Sequence, residues 1–123
     1  GALQLFCAEK EGEVGSCTVV YYYNGIVSFG LHARADEWHE QKLRDGDVLC
    51  WEMIKWSGAQ GYRYFDVTGF DANPTNGRQE GIRQFKSKWG GQCVYYDYYT
   101  QVRGKGKKIL IDQLKSGWNW YKS

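Results

Sequence analysis

No Cys-x-x-Cys pair occurs in this sequence, and His32 and His39 are its only histidines in 123 residues. The ligand spacing of a zinc site is therefore absent. No apolar run is long enough to span a bilayer, and no basic-then-apolar signal segment opens the chain. A membrane span is thus not expected, and the apparent address is cytoplasmic. A strong excess of one charge is missing too: a net +2 is too small to argue for nucleic acid. Internal repeats and low-complexity segments are lacking, and the one proline, Pro74, lies in a polar stretch. Cysteines stand at 7, 17, 50 and 93. Cys7 and Cys17 could share adjacent strands, but small buried thiols in a reducing compartment are the expectation.

What is abundant is aromatic: ten Tyr, six Trp and five Phe bring that class to 17%. Many of these rings must build the core or a contact surface. The length suits one domain, 1–123, with a core at 3–100 and a tail at 101–123.

Residues 3–9 read as a strand, Glu11-Gly12-Glu13 as a turn, and 16–23 as a second strand rich in β-branched and aromatic types. Asn24-Gly25 is a strong hairpin signal, so 26–33 returns antiparallel and completes a meander. Residues 34–47 read as a charged loop. From Asp47 the apolar spacing turns helical, with Asp45 or Asp47 as the N-cap and Gly61 as the stop. Residues 62–70 read as a strand expected to be central in the sheet. A polar loop leads to "GIRQFKSKWGG" (81–91), where Ile82, Phe85 and Trp89 share a helical face and Gly90-Gly91 supply the cap. Residues 92–100 read as a last strand. In the tail, Ile111, Leu114, Trp118 and Tyr121 recur at helical spacing, while "KILI" reads equally as a strand. The order β-β-β-α-β-α-β predicts an α/β fold (α+β mixed sheet), an antiparallel meander running into crossovers.

The segment "VLCWEMIKWSGAQGYRYFDVTGF" followed by "GIRQFKSKWGG" resembles the GNAT-like acyltransferases of the Fem type, the peptidoglycan interpeptide-bridge aminoacyltransferases and their relatives. The elements that carry the resemblance are Trp51-Glu52, Gly61, Phe65-Asp66, Gly69, Phe85-Lys86 and Trp89-Gly90-Gly91. It covers about residues 3–100. A full GNAT fold begins with a strand and two helices ahead of the meander, and this chain resembles the C-terminal two thirds of such a domain. The CoA pyrophosphate loop of ordinary relatives reads Gln/Arg-x-x-Gly-x-Gly/Ala, whereas this chain has "KLRDGDVL" there. Helix N-termini cradle phosphate, but Asp45 and Asp47 are expected to repel it. That favours the Fem-type branch, whose donors are aminoacyl-tRNAs, over acetyl-CoA.

The resemblance implies that Lys86 stabilises charge near substrate phosphates or the reacting carbonyl. Asp66, at the end of its strand, is the candidate general base. Arg83 is a candidate substrate contact, as are Tyr96 and Tyr98, which share a strand face; the plainer reading of each is a solvated cation or sheet-covering ring. The basic turn Arg103, Lys105, Lys107 and Lys108 is a candidate phosphate contact, to tRNA or a lipid diphosphate. The function expected is acyl or aminoacyl transfer to an amine, with a peptidoglycan precursor or small molecule as acceptor. The alternative is a non-catalytic binding or assembly module. Without the first strand and helices, an uncovered sheet surface is expected, and with it a homodimer or the remainder of a larger protein.

Overall fold

A computed structural model describes residues 2–95, 97 and 99–101. Two compact units divide the chain, residues 1–90 and 91–123. In the first, β1 (Ala2–Lys10), β2 (Glu13–Tyr23) and β3 (Ile26–Arg34) form the expected meander. Both of its turns place two residues at positive φ, Glu11-Gly12 (54° and 83°) and Asn24-Gly25 (50° and 82°). That is the two-residue turn whose twist matches the strands it joins.

After β3 come α1 (Asp36–Glu40), α2 (Asp45–Ala59), β4 (Tyr64–Asp66) and α3 (Gly77–Ser87). The sheet order is β1-β2-β3-β4, with β4 parallel to β3. This is a mixed α/β architecture, as the alternation of elements predicts. Among the described residues no helix is long and apolar enough to cross a membrane.

Val20 and Val27 of the sheet and Leu49, Cys50 and Met53 of α2 form the buried core. Around it pack Phe6, Tyr22, Trp56 and Tyr62, with Phe6 and Trp56 edge-on at 5.5 Å. Burying one such aliphatic side chain is worth roughly 1.5–3 kcal/mol.

Several expectations are corrected. Residues 34–47 are not all loop: α1 forms there and lays Trp38 over Gly15, where a Cβ would stand 1.8 Å from the ring. The strand expected over 62–70 shrinks to three residues and ends the sheet order among the described residues. The cause is local: Asp66 Oδ1 accepts the Thr68 N–H at 2.8 Å, and Thr68 turns to φ 63°. α3 starts four residues before Gly81, because Asn76 accepts the Gln79 N–H and caps it. Phe85 and Trp89 pack on the core as expected, but Ile82 is 41% exposed.

The thiol expectation also fails for one pair. Cys7 lies directly opposite Cys17 in the β1–β2 register, Cα atoms 4.1 Å apart, and the two form a disulfide. In the second unit no described residue of 92–100 is in a strand, and Tyr95 and Tyr99 are exposed. Tyr96, Tyr98, the basic turn and the C-terminal helix lie outside the described residues.

Candidate active site

β3 and β4 pair only at Ile26–Ser28 with Tyr64–Asp66. Beyond Ser28 that edge of β3 has no strand partner among the described residues. The strand then bulges: Val20 faces Phe29 and Thr18 faces His32, so Gly30 and Leu31 together oppose Val19. A Cβ on Gly30 would stand 2.4 Å from the Tyr21 ring and 2.6 Å from the Val19 carbonyl, so the bend needs glycine. β4 ends at Asp66 while β3 runs on to Arg34, and ligands of such sheets sit at the C-terminal ends of the strands.

α2 begins at this end, and the last turns of α3 lie against its start. The Phe85 ring approaches Gly46, and Lys88 pairs with Asp47. Arg44 occupies the N-cap position, yet no side chain caps the first-turn amides of α2. Helix N-termini favour anions, and the Arg44 side chain at this one is 88% exposed.

Lys86 and Asp66 meet at the end of β4. Lys86 Nζ donates to Thr68 Oγ1 at 3.0 Å and to the Gly69 carbonyl at 2.7 Å. Burial pushes its pKa below the usual lysine value, partly opposed by the Asp66 carboxylate. Asp66 is engaged with the Thr68 amide. A β-branched residue in the left-handed region costs about 1–3 kcal/mol, and such strain clusters at functional sites. Lys86 and Asp66 together hold Thr68 in that state. One of the three ammonium N–H groups is left for a ligand.

Arg83 is elsewhere. It makes a two-point contact with Glu80 one turn earlier on α3, Nε to Oε2 at 3.0 Å and a second nitrogen to Oε1 at 2.6 Å. Hydrogen bonds from Arg83 and Gln84 hold the Glu80 carboxyl below its ordinary value.

Sequence reasoning missed a polar cluster at the start of α2. Asp45 is buried in an ion pair with Arg34 of β3 at 2.6 Å, and no other donor among the described groups reaches its carboxylate. Arg34 also donates to the Trp38 and Leu43 carbonyls and to His39 Nδ1. His32 Nδ1 lies 2.7 Å from Thr18 Oγ1. Burial lowers the His32 pKa, against the pull of Asp45. The signal was His32 and Arg34 two apart on one strand face; His32 is exposed, and only its Nδ1 side meets the buried Thr18. Asp45 and Asp47 are thus both matched by cations, so the expected repulsion of phosphate is removed, and with it the reason for preferring an aminoacyl-tRNA donor.

Two grooves lie away from these residues. One, of about 460 Å³, runs between β1 and α2 past Phe6, Val48, Glu52 and Trp56. The other, of about 540 Å³, is lined by Leu3, Tyr21, Tyr23, Ile26 and Ser28. Neither is lined by Lys86 or Asp66. Cys50 is no nucleophile, since burial pushes its thiol up to about 11. No metal-ligand cluster exists among the described residues.

The family profile for the acetyltransferase (GNAT) domain matches residues 1–96. The chain belongs to the GNAT acetyltransferase domain family. Two solved structures share its fold, both of the aminoglycoside N-acetyltransferase AAC(6')-Iy. In complex with a bisubstrate analogue, CoA-S-monomethyl-acetylneamine, that enzyme superposes with a TM-score of 0.55 at 16% identity, covering 83% of this chain and 70% of that one. In complex with CoA it gives a TM-score of 0.53 at 16% identity, over 83% and 77%. No curated protein matches the chain.

Proposed function

We propose that this GNAT domain transfers an acyl group, acetyl from acetyl-CoA, to a primary amine. The early end of β4 alongside β3, beside a helix N-terminus with no side-chain cap, carries this reading. Acetyl-CoA would place its phosphates at the first turn of α2, near Arg44, and its thioester between the strands. Catalysis then consists of holding amine and carbonyl together and stabilising the oxyanion that forms. Lys86 supplies that stabilisation through its remaining N–H, and Asp66 and Thr68 fix where the ammonium stands. The Phe-Lys-x-x-Trp-Gly-Gly pattern favours a Fem-type acceptor, the amine of a peptidoglycan precursor, and Arg83, Tyr96 and Tyr98 remain candidates for holding it. A cytoplasmic address suits a CoA donor.

The test is ligand-linked stability followed by turnover. Acetyl-CoA is expected to raise Tm with concentration. With an amine present it is expected to release CoA thiol. Lys86→Ala should lower kcat by roughly 10²–10³-fold while leaving the acetyl-CoA shift in place. Absence of any shift would transfer weight to a second reading, a non-catalytic assembly module. One observation favours that module: Leu3, Leu5, Tyr21 and Tyr23 stand exposed on a single sheet face. Such a face suits a homodimer or the rest of a larger protein, and sedimentation at micromolar concentration decides between monomer and dimer.

A further inference from the structure

Acyl transfer from a thioester to an amine leaves a proton to be removed. Lys86 is a donor, and Asp66 spends Oδ1 on the turn at Thr68, which leaves its Oδ2 as the competing base. His32, which is exposed, is the first titratable side chain on β3 beyond Ser28, where the pairing with β4 ends. It follows directly on the Gly30–Leu31 bulge, a feature that re-aims a strand and its side chains. Thr18, itself 1% exposed, anchors the ring at Nδ1, which leaves Nε2 without a partner among the described hydrogen bonds. The charged groups facing the ring are Arg34 on β3 and Asp45 at the start of α2; His39 of α1 reaches the cluster through Arg34.

We propose that His32 Nε2 accepts the proton of the attacking ammonium, with Thr18 as the residue that positions the ring. His32's role rests on acyl transfer being the activity. The bound acceptor gives one N–H proton to Nε2, and the freed lone pair attacks the thioester carbonyl. The C–N bond forms and the C–S bond breaks. A second proton passes from nitrogen to the departing thiolate, giving the CoA thiol, and His32 returns its proton to water. The tautomer that serves this step carries its hydrogen on Nδ1, donated to Thr18 Oγ1. Partial burial lowers the His32 pKa from its ordinary value, which favours the neutral ring that can accept a proton.

The chain has two histidines, so their imidazole nitrogens are separable by NMR in the intact protein. The expected result is an Nδ1–H tautomer for His32 that titrates below 6.5 and loses its tautomer preference in Thr18→Val. An Nε2–H tautomer overturns the proposal whatever the substrate. In the kinetic arm, acetyl-CoA with neamine as the probe acceptor is followed as kcat/KM against pH. His32→Gln is expected to lower it about 10²- to 10⁴-fold and to abolish the fall at acid pH, while Asp66→Asn keeps that fall. A His32→Gln profile like the wild type, or loss of the acid fall in Asp66→Asn instead, overturns it. Where neamine is not turned over, the tautomer alone decides. Wild-type protein whose Tm acetyl-CoA does not raise removes the acyl-transfer reading itself, and the catalytic role of His32 with it.

Discussion

The two faces of this sheet are built from the same strands in the same alternation, yet they end in opposite environments. Val20, Val27 and Tyr22 face α2 and lie in or against the core. Their neighbours Tyr21, Tyr23, Leu3 and Leu5 point the other way, and Tyr23 is 75% exposed. Period-two patterning assigns residues to faces but does not say which face is covered. Coverage comes from α2, whose Leu49, Cys50 and Met53 meet only one side. The covered face also holds the polar cluster, since Thr18, His32 and Arg34 lie on it toward the start of α2.

The largest test of that contrast is at the polar end of the covered face. Asp45→Asn leaves Arg34 without its ion-pair partner beside a buried site, and about 3–5 kcal/mol of stability should be lost. Next is the apolar centre: Met53→Ala opens a cavity under the sheet and should cost about 2–5 kcal/mol. Tyr23→Ser, on the same β2 strand as Val20 but the uncovered face, should stay within about 0.5 kcal/mol. Chemical denaturation of the three variants checks all of these. Equal losses for Met53→Ala and Tyr23→Ser would mean that the second face is also covered in solution.

The sequence made some of this legible and hid the rest for identifiable reasons. Asn24-Gly25 needs positive φ at both positions, so its turn is written locally. α2 and α3 are visible because their apolar spacing persists over several turns, and Phe85 and Trp89 pack on the core as that spacing predicts. The shortness of β4 is not legible, because it depends on one carboxylate capturing one amide two residues later. Nor is the His32–Thr18 contact: it needs the bulge at Gly30, which shifts the register by a residue. The Arg34–Asp45 pair links two elements through α1, and neither residue announces its partner. The Cys7–Cys17 bond depends on the strand register, which the thiol count alone does not give.

That disulfide gives the next test, on the uncovered side. Cys7 and Cys17 join strands with a sequence separation of 10. Closing a loop of that size is worth on the order of 2–3 kcal/mol in the chain-entropy account. A reductant should therefore lower Tm, and a Cys7→Ser/Cys17→Ser protein should show no further response to it. The cytoplasmic address proposed above would set this bond against a reducing environment. Thiol labelling of freshly lysed cells is expected to find the pair reduced if acetyl-CoA is the donor in that compartment. The reduced protein should then show how stable the sheet is without its cross-strand bond.

The smallest effect belongs to the exposed pair on α3, which is stabilised by neither face of the sheet. The Glu80 carboxyl is held below its ordinary value by hydrogen bonds from Arg83 and Gln84. A depressed carboxylate adds stability that is present above its unfolded value, about 4.3, and is lost as pH falls through the lower folded value. Its exposure lets solvent and salt screen most of the gain. Wild type and Glu80→Gln should therefore differ slightly in Tm near pH 6, converge as the pH approaches 3, and converge at pH 6 in molar salt. The buried Arg34–Asp45 pair should keep its effect in the same salt, because the solvent that screens Glu80 does not reach the Asp45 carboxylate. A salt response as large for Asp45→Asn as for Glu80→Gln would show that the covered face admits water at its polar end.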